Sequence, residues 1–362
     1  MRNDSAVAVI NEGATLDGAI PARGDIVSAR NPGLDFVRGV LVLAMLAYHV
    51  GSFFIADRYL LSKVTGLALS FVSGSWVFLS GLLVSYAYER AFPEVRREVA
   101  VRFLVRGIKL LGVFVALNLC IVALALPPAS STKRDFTTLG AALLYGGGEE
   151  SSFEILVGIA YVMILSPLLL WARSAGRLLS VMLVSAGIWY SIGGGVIPPN
   201  LWLVLCGLAG ISGGYVLRTP AFTRLESDAG LRSAALACTV AVALAHYVLL
   251  GFYDFGRNDL HVYLLGVVSI VSAIYFSYPW MTAGTVMERG IRLIGRHSLA
   301  CYIGQMAILW SLRLSASALQ VSFGYWSGLA LSLSVMIVMI VLLDRAMERS
   351  ESLKRVYQLF LG

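Results

Sequence analysis

Charge is what this chain has least of. Asp, Glu, Lys and Arg make up 14% of its 362 residues, against about a quarter in a soluble protein of ordinary composition. A water-facing surface over most of the length is thereby excluded. Cysteine is sparse as well, and Cys120, Cys206, Cys238 and Cys301 all fall in apolar stretches. That placement argues against structural disulfides and against a zinc site, so no metal is expected. The sequence holds no nucleophile elbow, P-loop, dinucleotide fingerprint or His-Glu-x-x-His element, which removes those catalytic classes. No loop exceeds about 26 residues, so there is no room for a soluble catalytic domain. No repeat of fixed period is visible and the two halves do not match, which weakens a transporter built from inverted repeats.

What fills the chain instead is apolar sequence, with 58% hydrophobic residues. A bilayer core takes roughly 20 apolar residues per helix. Ten stretches qualify: 36–55, 67–88, 105–126, 153–171, 178–193, 199–217, 232–250, 260–278, 297–314 and 325–344. The fifth is short and ends in glycines. The expected fold is an all-α integral membrane protein of about ten transmembrane helices in one bundle. Residues 1–33 are polar, lack an apolar signal core, and read as a disordered cytoplasmic tail. The membrane domain is expected over 34–346, followed by a short cytoplasmic C-terminal tail at 347–362. The longest outer loop, 127–152, carries Gly146-Gly147-Gly148-Glu149-Glu150, with a short interfacial helix expected near 136–145.

Basic residues set the orientation. With the N-terminus inside and each span crossing, 22 of the 28 Lys and Arg fall on the cytoplasmic side and six on the other. This is the positive-inside pattern, and a missed span would invert it downstream. The expected placement is the cell inner membrane, multi-pass, with both termini cytoplasmic. The net charge of +7 follows from topology, and no basic patch with interleaved aromatics points to nucleic acid.

Few polar residues lie inside these spans. His49 follows Arg38 by eleven residues, about three helical turns and roughly 16 Å, on the same face. An imidazole at that depth is costly unless it meets a partner or a polar cavity. It reads either as a packing histidine bonded to a neighbouring helix or as a general base. Arg102, Arg106 and Lys109 recur at i, i+4 and i+7 where the third span begins. Such a stripe can anchor the helix at lipid headgroups or bind a polyphosphate. Glu154 opens the fourth span. It could orient His49 or meet a sugar hydroxyl, or simply favour the helix dipole. Ser75 to Gly81 reads first as close helix packing. His246 and His261, with Tyr247, Tyr253 and Tyr263, could line a carbohydrate cleft or belong to an interfacial aromatic belt. His297 sits where a helix starts.

Together these segments resemble a known family. Asp35-Phe36-Val37-Arg38-Gly39, followed by His49, is similar to the first-helix signature of the acyltransferase-3 superfamily, membrane enzymes that O-acylate bacterial surface glycans. Trp76-Val77-Phe78-Leu79-Ser80-Gly81 resembles its second-helix element. Phe103 to Leu110 resembles the basic start of its third helix. Gly295-Arg296-His297-Ser298-Leu299 with Tyr302 resembles a late element. The first three also look like the branch of periplasmic glucan succinyltransferases and heparan-type acetyltransferases. Lys109 stands where many relatives carry a second arginine, and Leu111-Gly112 follows where they have a proline.

The resemblance implies an O-acyltransferase using acyl-CoA, either acetyl-CoA or succinyl-CoA, with a glycan or polysaccharide acceptor. It makes His49 the catalytic residue; Glu154, by its place at the start of the fourth span, is the second catalytic candidate. Arg38, Arg102, Arg106 and Lys109 become candidates for the coenzyme A phosphates. Membrane lipid and polysaccharide-assembly proteins are the other partners expected. A polytopic transporter or flippase, or a non-catalytic subunit of a polysaccharide-assembly complex, remains the alternative.

Overall fold

The computed structural model describes residues 31–55, 71–90, 96–123, 140–141, 143–144, 153–172, 174–252, 259–281 and 284–360. Regular structure among them is entirely helical. The helices are α1 (Pro32–Phe54), α2 (Val72–Arg90), α3 (Arg96–Ala123), α4 (Glu154–Trp171), α5 (Ser174–Ile192), α6 (Pro199–Val216) and α7 (Pro220–Ser227). There follow α8 (Ala229–Phe252), α9 (Leu260–Ser277), α10 (Val286–Arg296), α11 (Ser298–Leu319), α12 (Tyr325–Arg349) and α13 (Glu351–Phe360). Nine helices among the described residues are long and apolar enough to cross a membrane, and the apolar part of α2, Val72–Tyr88, is a shorter tenth. This is the expected multi-pass helical bundle.

The boundaries differ in instructive ways. The third span was expected from residue 105, but α3 starts at Arg96. The added turns carry arginine and glutamate, good helix formers, so the helix continues past its apolar stretch. Within residues 347–362, the expected C-terminal tail, α12 runs to Arg349 and α13 follows directly. Residues 1–30, which hold nearly all of the expected N-terminal tail, lie outside the described residues, and α1 begins at Pro32. Most of the outer loop 127–152 is likewise outside. Its residues 140–141 and 143–144 are helical, and the Leu143 carbonyl accepts hydrogen bonds from Tyr161 Oη and Asn200 Nδ2, at 2.5 and 2.9 Å. Those two bonds tie this part of the loop to α4 and α6.

Helix α2 packs along α6, α3 along α4, and α1 against α10, α11 and α12. Missing side chains make two of these contacts possible. A Cβ on Gly81 would lie 2.0 Å from the Gly207 carbonyl, and one on Gly210 1.9 Å from that of Phe78. Likewise a Cβ on Gly39 would lie 2.0 Å from the Ile291 carbonyl, and one on Gly295 1.8 Å from that of Asp35. Lipid tails supply no hydrophobic drive between helices, so backbone approach of this kind is how membrane helices gain packing. The outward faces of α5 and α8 carry Leu178, Met182, Trp189 and Leu244 exposed. On a water-soluble protein such a surface would be a liability; here it is the surface that faces lipid.

Candidate functional site

Four sequence elements quoted above converge on one cavity of about 240 Å³. Its walls come from α1, α2, α3, α4 and α11. Trp76, Ser80, Leu83 and Ala87 follow one face of α2, and eleven residues of helix span about 16 Å. The cavity is therefore elongated along the bundle. Its lining is apolar apart from Arg38, Arg106, Ser80, Ser298, Tyr302 and the Trp76 indole.

The α1–α10 glycine contact builds one end. Gly39 and Gly295 bring the first and the late sequence elements into backbone contact. That contact sets Arg38 of α1 beside the start of α11, where Ser298 and Leu299 line the cavity. Arg38 also pairs with Asp35 at 3.8 Å. Helix α10 is held in place by Glu288, which is buried. Its carboxylate accepts from the Gly284 N–H at 2.7 Å, from Arg292 at 3.0 Å and from Tyr278 Oη at 3.0 Å. Thr285 caps the same helix by accepting from the Glu288 N–H, a capping-box pattern. The Gly284 N–H, then Arg292 and Tyr278, hold the Glu288 carboxyl below its ordinary 4.5. Its bond to Glu288 raises the Arg292 guanidinium in turn.

The three cations of α3 separate. Arg106 is half-buried and lines the cavity. Arg102 has 77% of its side chain exposed and pairs with Glu98 at 3.7 Å. Lys109 is exposed too. At about 100° per residue, Phe103, Arg106 and Leu110 centre on the cavity, while Arg102 and Lys109 lie roughly 75–95° to one side. The i, i+4, i+7 stripe is present, but only its edge turns inward. Arg38 and Arg106 are therefore the cations in the lining.

His49 does not line the cavity. It lies eleven residues beyond Arg38 on α1, about 16 Å further along the bundle, and its Nε2 is buried with no hydrogen-bond partner among the described residues. Glu154 also lies outside the lining, next to Ile155, which is in it. It follows Phe153, whose backbone is left-handed with φ 67°, a strained conformation for a bulky residue. The Phe153 ring meets that of Tyr302 edge-on at 5.6 Å, and Glu154 is within electrostatic reach of the Tyr302 phenol.

Trp76 and His297 stand in elements quoted from the sequence, but Gln305 and the two partners of His297, Asp344 and Tyr357, do not. Trp76 Nε1 and both amide atoms of Gln305 are buried with no hydrogen-bond partner among the described residues. Gln305, at 0% exposure, continues the Ser298–Tyr302 stripe of α11 one turn deeper. A tryptophan on a second-helix element and a lone glutamine in an apolar span were the available signals. Asp344 and Tyr357 carried no such signal. His297, 3% exposed, contacts Tyr357 Oη through Nδ1 at 3.0 Å and Asp344 Oδ1 through Nε2 at 3.1 Å. Elsewhere, the Tyr263 hydroxyl accepts from the Gly74 N–H at 2.9 Å. His246 is buried against Gly266, and Tyr253 lies outside the described residues. No group of three or more metal-ligating side chains occurs among the described residues.

Residues 30–144 match the family described as OpgC protein, about a third of the chain. This supports an acyltransferase-like family. The matched segment contains α1 to α3, and with them Arg38, Trp76 and Arg106; the α4 and α11 walls of the cavity lie beyond it. No curated protein and no solved structure matches the chain.

Proposed function

We propose that this chain is a membrane O-acyltransferase. It moves an acetyl or succinyl group from acyl-CoA to a hydroxyl of a periplasmic or cell-surface glycan. The observation that carries the reading is the cavity itself. It joins the four sequence elements, holds two arginines at its basic end, and runs about as far along the bundle as Arg38 lies from His49.

In this reading the basic end faces the cytoplasm. Coenzyme A phosphates dock on Arg38 and Arg106, and the arm carrying the thioester extends along the apolar walls toward His49. The glycan hydroxyl arrives from the opposite side. His49 Nε2 takes the hydroxyl proton as the oxygen attacks the thioester carbon. The tetrahedral intermediate then expels the thiolate by breaking the C–S bond, and the imidazolium returns the proton to sulfur. General-base help of this kind is typically worth about 10²–10⁴-fold. The unpartnered Trp76 and Gln305 donors are available to a developing oxyanion.

Incubating the purified chain with a periplasmic glucan and radiolabelled acetyl-CoA or succinyl-CoA tests the reading. Label transferred from one donor to glucan is expected. If neither donor labels glucan while coenzyme A still binds, transfer to a glucan is ruled out.

A further inference from the structure

The sequence gives no role to the end of the chain, yet α13 reaches the cavity's edge. His297 is the residue just before α11, and the next two residues, Ser298 and Leu299, line the cavity. Tyr357 of α13 bonds to His297 Nδ1 at 3.0 Å and packs its ring edge-on against the imidazole at 5.6 Å. Asp344 of α12 bonds to His297 Nε2 at 3.1 Å. Tyr357 is also within electrostatic range of Arg106.

A carboxylate only accepts, so His297 Nε2 carries a proton that points to Asp344. Nδ1 shares its hydrogen bond with the Tyr357 hydroxyl. The phenol oxygen keeps lone pairs that can accept from a guanidinium. Asp344 and Tyr357 thus hold His297 from two sides, and Tyr357 stands within electrostatic range of Arg106.

We propose that Tyr357 is a positioning residue for Arg106, and that α13 closes the basic end of the cavity around an anionic ligand. The inference rests on the reading of Arg106 as a phosphate contact. Residues 47 and 60 positions past His297 in sequence thus complete a site whose charged members come from α1 and α3.

The test is calorimetry of coenzyme A with the purified full-length chain. Tyr357→Phe keeps the ring contact and removes the hydroxyl. Affinity should fall about tenfold, the usual consequence of losing one hydrogen bond to a charged group. In an Arg106→Ala background the same change should cost nothing further, because coupled residues are non-additive. Equal binding by wild type and Tyr357→Phe, or losses that multiply in the double variant, would overturn the proposal. Faster tryptic cleavage at Lys354 and Arg355 in Tyr357→Phe with unchanged affinity would overturn it too, leaving Tyr357 as a mere anchor of α13. Should Tyr357→Phe not be recovered folded, Asp344→Asn carries the same comparison, with a smaller loss expected. If Arg106→Ala itself binds coenzyme A as wild type does, the phosphate reading fails first, and that result is distinguishable from the others.

Discussion

A side chain's direction matters more here than its position along the helix. Arg102 and Arg106 are one turn apart, yet one lies in solvent or headgroups and the other in the cavity wall. Arg106→Ala should therefore weaken coenzyme A binding by at least about tenfold, since a charge-assisted contact is worth roughly 1.5–3 kcal/mol. Arg102→Ala should leave it unchanged, and calorimetry on the two variants side by side checks this. A second difference concerns His49. His49→Ala should abolish glycan acylation, by the 10²–10⁴-fold expected of a lost general base, while coenzyme A still binds about three turns away. Wild-type turnover in that variant would remove His49 from the mechanism, and failure to fold would leave it a packing residue. His49→Gln makes the same comparison with a smaller cavity.

Among the elements, α10 shows how a short amphipathic helix controls a site it barely lines. Its two structural fixtures are Gly295 and Glu288. Gly295→Ala would set a Cβ 1.8 Å from the Asp35 carbonyl, forcing α10 off α1 at a cost typical of overpacking, about 1–3 kcal/mol. Lower thermal stability together with weaker coenzyme A binding is the expected result; a variant as stable as wild type would show that the contact can open freely. Glu288 brings a pH dependence. Its carboxyl is held below the ordinary value in the folded chain, so its contribution is full above pH 4.5 and is lost as pH falls below that value. Thermal unfolding of detergent-solubilised wild type should thus show an acid-side loss that Glu288→Gln, already less stable at neutral pH, lacks. The helices themselves were legible because a bilayer imposes a length and a composition on each span. Arg38, Arg106, Trp76 and Tyr302 were legible as parts of short elements. Their meeting was not, because it depends on Gly39 against Ile291 and Gly295 against Asp35, contacts that no local pattern encodes. Nor could the outward turn of Arg102 and Lys109 be read, since periodicity defines a stripe but not which edge of it faces the neighbours. The bonds of His297 to Asp344 and Tyr357, 47 and 60 residues on, were equally hidden, because they join the residue before α11 to side chains on the next two helices.

The described helices form a bundle whose candidate site begins where Arg38 and Arg106 line the cavity. In the account above, donor and acceptor reach that site from opposite sides of the membrane. Reporter fusions after residues 145 and 255 should both report the outer compartment, as the 22-to-6 distribution of Lys and Arg requires; a cytoplasmic signal from either would break the orientation. The most direct measurement uses the purified chain in sealed vesicles with a periplasmic glucan trapped inside and radiolabelled acyl-CoA, which does not cross the bilayer, added outside. Only molecules whose basic end faces outward can use that donor. Label on the enclosed glucan is expected with the wild-type chain and none with His49→Ala. Label confined to glucan added outside, with the enclosed glucan unlabelled, would contradict it.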